Sequence, residues 1–154
     1  MKLSKNFSLK ELTRSSTALR LGIENIPDSQ QLVNLTALAC CILQPVRDKF
    51  GRVDINSGLR VLELNRAIKS GDKSQHVQGQ AADLEAPAVS NYDLAEWISQ
   101  ELEFDQLILE FYTPGDPTSG WVHCSYRNDG ENRKEILTAS RKDGKVVYDQ
   151  GLNA

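Results

Sequence analysis

The sequence is poor in the residues that mark several large classes of protein. Its 154 residues include three cysteines, two histidines and one methionine, and only 6% of the residues are aromatic. The cysteines lack the CxxC spacing of a zinc finger and are too few for a disulfide framework. Cys40 and Cys41 fall in a helical pattern and are predicted to pack as small hydrophobic side chains. No apolar run is long enough to cross a bilayer, so no membrane span is expected.

An excess of charge of one sign is also missing. Eighteen lysines and arginines stand against 21 acidic residues, a net charge of -3, so neither nucleic acid nor an anionic membrane is an expected partner. The opening MKLSKNFS has no apolar segment of the kind found in secretory signal peptides. We therefore expect synthesis in the cytoplasm, with any action outside the cell following release by another route. The length fits one domain, residues 1–154.

Helix signals dominate the first half of the chain. The segments SLKE (8–11) and DSQQ (28–31) have the form of capping boxes at helix starts. After the second, apolar residues recur mostly at spacings of three and four as far as Phe50. Pro45 should kink or divide this helix, and Gly51 should end it. Further helices are predicted at 61–70 and after Ser90.

Strand signals dominate the second half. Two apolar runs flank a loop rich in turn-forming residues, TPGDPTSG (113–120), and are predicted to pair as antiparallel neighbours. A final hairpin is predicted around Asp143 and Gly144. The predicted strands are 52–57, 81–85, 104–112, 121–126, 136–138 and 145–148. This order favours an α+β fold in which N-terminal helices pack on a mainly antiparallel sheet.

Both histidines lie close to predicted strands. His76 is on the loop before the strand that carries Asp83, and His123 is on the strand 121–126. Two imidazoles and a carboxylate are a ligand set of catalytic zinc sites, where a fourth position is kept for water. Gly79 would let the loop turn tightly or approach another backbone closely. The alternative is that the histidines only hydrogen-bond in the core and that Asp83 caps or pairs.

A water that attacks a peptide bond needs a general base to take its proton. Glu110 is the first candidate, because it ends a strand expected to pair with the strand of His123. Asp116, in the loop between these strands, is the second candidate. The alternative for Glu110 is a solvated residue at a strand end. Cys124 is not expected to join the site, because strand alternation turns it away from His123.

The sequence contains a specific combination of motifs. The pattern S-x-H-x-x-G-x-A-x-D occupies residues 74–83, SGLR precedes it at 57–60, and WVH follows at 121–123. This combination resembles the zinc D-Ala-D-Ala carboxypeptidase family of peptidases, family M15, in its carboxypeptidase-like branch. The resemblance implies a core shared with D-Ala-D-Ala dipeptidases and the Hedgehog signalling domain. It extends over most of the chain, from FSLKEL (7–12) to the final hairpin.

The resemblance implies one zinc ion per chain, held by His76, Asp83 and His123. It also implies that Arg60 helps to hold the site or the carboxylate of the substrate, since a guanidinium presents a planar fork suited to a carboxylate. A structural ion pair of Arg60 with Glu63 or Asp72 is the alternative. Ser74 would either hydrogen-bond near the substrate or shape the loop.

Two departures from the family pattern affect the site. Leu59 stands where relatives carry the aromatic residue of S-G-Y-R. Several relatives have an acidic or histidine catalytic residue shortly before the last ligand, where this chain has TSG (118–120). The base must therefore come from Glu110 or Asp116.

Together these features predict a zinc metallopeptidase that hydrolyses peptidoglycan stem peptides. The resemblance leaves open whether it acts as a D-Ala-D-Ala carboxypeptidase or an L-Ala-D-Glu endopeptidase. The missing signal peptide suits an enzyme of bacteriophage lysis or of a virion, acting at the bacterial cell wall. Two alternatives are a non-catalytic wall-binding or virion structural protein stabilised by zinc, and a zinc-free interaction domain with core histidines.

Overall fold

The computed structural model describes residues 1–153 and has an α+β architecture, as the sequence predicts. The helices are α1 (Leu9–Thr13), α2 (Ser16–Leu21), α3 (Ser29–Leu38), α4 (Gln44–Phe50), α5 (Leu62–Ala67) and α6 (Asn91–Glu101). The strands are β1 (Asp54–Ser57), β2 (Ala81–Glu85), β3 (Gln106–Glu110), β4 (Trp121–Ser125), β5 (Glu135–Lys142) and β6 (Lys145–Gln150). None of the helices within residues 1–153 has the length and apolar character needed to span a membrane.

The second capping box forms as predicted. The Asp28 carboxylate accepts a hydrogen bond from Gln31 N at 2.8 Å, and Asp28 N donates to the Gln31 side chain at 2.9 Å. A π-helical turn, Ala39–Leu43, separates α3 from α4 and leaves Pro45 in the first turn of α4. The backbone stays right-handed helical through this turn, and Gln44 N donates to the carbonyl oxygen of Ala39, five residues back. The shifted hydrogen-bond pattern accommodates Pro45, which has no N–H to donate. Gly51, with a φ of +80°, ends α4, so the predicted division and stop are both confirmed.

The π-helical turn also explains one wrong prediction. Cys40 is exposed and Cys41 is only half-buried, whereas their neighbours Ala39 and Ile42 are fully buried. A π-helical turn adds a residue to the helical repeat, and the apolar stripe consequently continues past the two cysteines. Cys40 therefore does not pack as a small core residue.

The sheet has the strand order β1-β2-β4-β3-β5-β6, and every neighbouring pair is antiparallel except β3–β5. Asp83 on β2 lies opposite His123 on β4, and His123 lies opposite Ile108 on β3. Residues directly opposite each other share a face of the sheet, so these three side chains point to the same side. The predicted β3–β4 pairing and the final β5–β6 hairpin are confirmed.

The two faces of the sheet differ in chemistry. One face packs against α3, α4 and α6 around a single apolar cluster. Its strand residues are Ile55, Ala82, Leu84, Leu107, Leu109, Val122 and Cys124. Cys124 is completely buried on this face, opposite to His123, as strand alternation predicts. The other face, which carries Asp83, His123 and Glu110, is called the polar face below.

A β-bulge in β1 turns a serine to the polar face. Ile55 pairs with Leu84 and Ser57 pairs with Asp83, so Asn56 is an extra residue between two consecutive partners on β2. In a regular strand Ile55 and Ser57 would share one face, because side chains alternate with a period of two. The bulge instead keeps the isoleucine in the core and places the serine beside Asp83.

The loop before β2 is fastened to α3. The side chains of Gln31 and Asn34 donate hydrogen bonds to the backbone carbonyls of Val77 and Gln78 at 2.8 and 2.9 Å. Gly79 has a φ of +74°, and a Cβ on it would lie 2.8 Å from the carbonyl oxygen of Gln31. The loop can reach α3 this closely only because residue 79 is glycine.

Asp105 anchors the same loop from its other side. Its side chain is 2% exposed and accepts hydrogen bonds from Gln75 Nε2 at 2.8 Å and from the Arg133 guanidinium at 2.9 and 3.1 Å. Burial alone would raise the pKa of Asp105, but the bonds from Arg133 and Gln75 outweigh it and lower the pKa below its ordinary value. Gln75 directly precedes His76, so this buried carboxylate constrains the path of the histidine loop.

We expect the substitution Gly79→Ala to lower the free energy of unfolding by about 1–3 kcal/mol, because it forces a left-handed residue and a backbone clash. The measurement is urea denaturation in the presence of a chelator, so that metal binding does not contribute. Gly71→Ala is the matched control, since a Cβ there meets nothing within 4 Å and its φ is not positive. Equal stability of the two variants would contradict this account of the loop.

We expect Asp105→Asn to lower the free energy of unfolding by about 1–3 kcal/mol at pH 7, since charge-assisted hydrogen bonds to a buried group are lost. The pKa of Asp105 is lower in the folded protein than in the unfolded protein. The ionised carboxylate therefore stabilises the fold above the unfolded-state pKa of about 3.9, and this stabilisation is lost as the pH falls through the folded-state pKa. The difference in free energy of unfolding between the wild type and Asp105→Asn should therefore become smaller below about pH 4. Denaturation curves between pH 3 and 7 test this, with the exposed Asp149→Asn as control; a gap independent of pH would refute it.

Candidate metal centre and active site

The three residues proposed as metal ligands meet on the polar face. His76 Nε2 lies 3.4 Å from Asp83 Oδ1, and His123 Nδ1 lies 3.2 Å from the same oxygen. The ligand atoms all lie within 4.8 Å of one another, an arrangement that could hold a metal ion. A loop, β2 and β4 each contribute one of these residues, so the cluster exists only in the folded chain.

The tautomer of His76 follows from its second ring nitrogen. His76 Nδ1 lies 2.8 Å from the carbonyl oxygen of Gly58, which can only accept a hydrogen bond. In the neutral ring Nδ1 therefore carries the proton and Nε2 presents a lone pair toward Asp83. A backbone carbonyl that orients a histidine in this way is a common support for a metal ligand.

Asp83 and His123 add a carboxylate and a second imidazole to the site. Burial by itself would raise the pKa of Asp83, but the two neighbouring imidazole rings, His123 at 3.2 Å and His76 at 3.4 Å, outweigh this and hold the pKa well below its usual range, so the carboxylate is ionised. His123 Nε2 is buried and has no hydrogen-bond partner within residues 1–153. The His76 and His123 rings meet edge to face with centroids 5.2 Å apart.

This donor set fits a divalent cation. The His76 lone pair faces an ionised carboxylate at 3.4 Å, an arrangement of two acceptors that is unfavourable unless a proton or a cation lies between them. Two imidazole nitrogens and one carboxylate oxygen match the three protein ligands of an open zinc site. All three side chains are at least four-fifths buried, so little water competes for the donors.

Glu110 lies on the polar face at the end of β3. It is opposite Trp121, two residues before His123 on β4, and is half-buried. Burial and the charge of Asp83 raise the pKa of Glu110, against the opposing influence of His123, Trp121 and Arg60. The Trp121 indole N–H is close enough to favour the charged carboxylate but makes no hydrogen bond of regular geometry.

The backbone around Glu110 is tightly constrained. The next residue, Phe111, has a φ of +57°, a conformation that bulky residues rarely adopt. A Cβ on Gly120 would clash with the Glu110 carbonyl oxygen and lie 2.7 Å from Phe111 C. The turn after β3 and the start of β4 are therefore packed backbone against backbone, which fixes where the glutamate points.

Asp116, the other candidate base, is exposed in the loop between β3 and β4. Its Oδ1 accepts hydrogen bonds from Thr118 N at 3.3 Å and from Thr118 Oγ1 at 3.1 Å, so the carboxylate is engaged in its own turn. It does not belong to the cluster that joins His76, Asp83 and His123. The geometry favours Glu110 as the carboxylate of this site.

Arg60 borders the same site. Its Nε donates to Asn65 Oδ1 at 3.1 Å and its Nη1 donates to Ser57 Oγ at 3.1 Å, both neutral acceptors. Asp72 pairs with Arg66 instead, so the suggested ion pair of Arg60 with Glu63 or Asp72 does not form within residues 1–153. Burial lowers the pKa of Arg60, and the charges of Asp83 and Glu110 oppose this. The guanidinium is thus close to both carboxylates of the polar face.

Ser74 was named from the sequence, whereas some other supports of the site were not. Ser74 Oγ accepts a hydrogen bond from His76 N at 3.3 Å, a contact within the loop itself. The motifs by themselves assign no role to Gly58 or to Asp105. The SGLR stretch includes Gly58 and could have drawn attention to it, but nothing local marks Asp105.

Comparison with known proteins identifies the family. A family model described as Peptidase M15 matches residues 5–125, a range that contains Arg60, Glu110 and all three residues of the candidate metal centre. No curated protein sequence matches the chain. Peptidases of this family are generally zinc-dependent and cleave peptides. Because the match covers well over half of the chain, this protein belongs to peptidase family M15.

Proposed function

We propose that this protein is a zinc-dependent peptidase that hydrolyses peptidoglycan stem peptides. Family membership supports peptidase activity. The observation that carries the proposal is the convergence of His76, Asp83 and His123 on one point of the polar face, with the half-buried Glu110 on the same face. These are the parts that metal-assisted peptide hydrolysis requires: ligands, a base and a sheltered surface.

The ion would be held by His76 Nε2, Asp83 Oδ1 and His123 Nδ1. Zinc bound there would polarise the scissile carbonyl and lower the pKa of a water molecule. Gly58 O keeps the His76 ring in the tautomer that leaves Nε2 free. The ionised Asp83 supplies the negative charge that favours a divalent cation in this buried place.

Glu110 is the proposed general base. It takes a proton from the attacking water and returns it to the amine that leaves when the peptide bond breaks. Burial raises the pKa of Glu110, which brings the carboxyl group closer to neutral pH, where a base that must also release its proton works best. The constrained backbone at Phe111 and Gly120 holds the carboxylate in place, so little ordering is needed during the reaction.

Arg60 is the proposed binding group for a carboxylate of the substrate. Ser57 and Asn65 hold Nη1 and Nε, while Nη2 donates to no residue within 1–153. The guanidinium is thereby oriented by neutral groups and keeps an unused edge for an anion. Ser74 supports the histidine loop through its bond to His76 N.

The proposal extends to substrate and place. The expected reaction is either that of a D-Ala-D-Ala carboxypeptidase or that of an L-Ala-D-Glu endopeptidase, at the bacterial cell wall. The enzyme would reach the wall after release from the cell or as part of a virion. Incubation with purified peptidoglycan, followed by identification of the new peptide ends, tests both reactions. A zinc-stabilised structural protein would release no peptide.

We expect protein purified without chelator to contain roughly one zinc per chain. The substitution Asp83→Asn should abolish this, because it removes the charge that compensates the cation, and His76→Ala and His123→Ala should do the same. Elemental analysis by mass spectrometry measures the zinc, and circular dichroism checks folding. Asp116→Asn is the matched control and should keep its zinc. Full zinc content in Asp83→Asn or His123→Ala would refute the proposed ligand set.

We expect Glu110→Gln to keep its zinc and its fold while kcat falls roughly 10²–10⁴-fold, the usual contribution of a general base. The amide matches the carboxylate in shape but cannot accept the proton. The measurement is the rate of release of new amino termini from peptidoglycan fragments. Asp116→Asn should retain wild-type activity. A fully active Glu110→Gln together with an inactive Asp116→Asn would transfer the role to Asp116.

A further inference from the structure

Strand β6 forms an open edge of the sheet. It pairs with β5 on one side, and within residues 1–153 no other strand pairs with its outer side. Five of its six residues are exposed, including Val146 at 43% and Tyr148 at 55%. The match to the peptidase family ends at residue 125, so β6 lies outside the part of the chain that the family model covers. An exposed edge strand with apolar side chains is a surface on which another strand can pair.

The turn before β6 determines which backbone groups face outward. Lys142 pairs with Lys145 across a two-residue turn whose φ values, +53° and +76°, are both positive. Residues that flank such a turn exchange hydrogen bonds, and the direction of the backbone groups then alternates along the strand. The N–H and C=O groups of Lys145 therefore face β5, whereas those of Val146 and Tyr148 face outward. Within residues 1–153 neither Val146 nor Tyr148 makes a backbone hydrogen bond outside the β5–β6 ladder.

The outer edge of β6 is complementary to itself. When two copies of β6 run antiparallel about a two-fold axis at Val147, Val146 lies opposite the partner's Tyr148. The outward N–H and C=O groups of the two strands then meet and exchange hydrogen bonds. The two apolar side chains that a single copy exposes also cover each other, on the same face of the joined sheet.

The charges of β6 match in the same register. Lys145 lies opposite the partner's Asp149, and the symmetry repeats this pair on the other side of the axis. Within residues 1–153 neither Lys145 nor Asp149 makes an ion pair, and Lys145 faces the like charge of Lys142 across the hairpin. Opposite charges placed directly across two strands stabilise the pairing, so a second copy supplies what a single copy lacks.

Neighbouring registers are less favourable. Moving the axis from Val147 by one residue in either direction removes both lysine–aspartate pairs. An axis at Tyr148 would also need the carbonyl oxygen of Gln150, which already accepts a hydrogen bond from Asn153 Nδ2 at 3.3 Å. The charges and the free backbone groups therefore select the same register.

We propose that this chain forms a symmetric dimer through its β6 edges, which join two sheets into one. Tyr148 lies opposite Ala139, which lies opposite Glu110, so Tyr148 belongs to the polar face. A two-fold axis perpendicular to the sheet keeps this face on the same side in both copies, and the dimer presents both candidate metal centres to one surface. Neither zinc nor substrate takes part in the contact. The contact is much smaller than a standard interface of about 1,600 Å², so the dimer is weak and the chain is monomeric at low micromolar concentration.

Sedimentation velocity of the full chain between about 5 µM and 1 mM tests the proposal. A reducing agent is present because Cys40 is exposed and could cross-link copies. Lys145→Glu and Asp149→Lys each place like charges opposite each other at both symmetric positions, and the double variant restores opposite charges. Lys49→Glu, at an exposed position on α4, is the matched control for the change in net charge. Circular dichroism checks that each variant is folded.

We expect the weight-average mass of the wild type to rise from that of one chain toward that of two over this range. Each single variant should weaken association at least about tenfold, because two attractive pairs become repulsive. The double variant and Lys49→Glu should associate like the wild type. A monomer at every concentration, association that survives either single variant, or a double variant that stays monomeric would each overturn the inference.

Discussion

The pairing of Asp83 with His123 across β2 and β4 is the constraint on which the rest of the site depends. It brings the carboxylate and an imidazole to 3.2 Å on one face of the sheet. The opposite face of the same strands carries Leu84, Val122 and Cys124, all completely buried. A slip of one residue would turn the aspartate and histidine into the core and the apolar side chains to solvent. The hydrophobic core therefore selects the register that assembles the polar site.

Two carboxylates and one guanidinium carry the partly buried charges of the site. Asp83 and Glu110 lie on the polar face, and Arg60 is the cation that influences both. Neutral groups orient Arg60, so its charge is not consumed by a fixed ion pair. A cation bound at Asp83 would neutralise the negative charge of that carboxylate. The positive charge of Arg60 would then act on Glu110 and on an anion of the substrate. Metal binding and substrate binding would thus be linked through one local field.

Close backbone packing makes this geometry rigid. The loop that carries His76 contacts α3 at Gly79, and the end of β3 contacts the start of β4 at Gly120. Phe111 holds a left-handed conformation directly after Glu110, and the bulge at Asn56 directs Ser57 toward Asp83. Unusual backbone positions of this kind gather around functional sites, where the surrounding structure can sustain their cost.

The sequence by itself determined the α+β class, the antiparallel neighbours β3 and β4 and the set of candidate ligands, because strand alternation and motif spacing are local properties. The exposure of Cys40, the parallel pairing of β3 with β5 and the support of the histidine loop by Asp105 were decided only by the tertiary structure. Such contacts depend on how whole elements pack and on which register the core selects, and neither leaves a periodic signal in the chain.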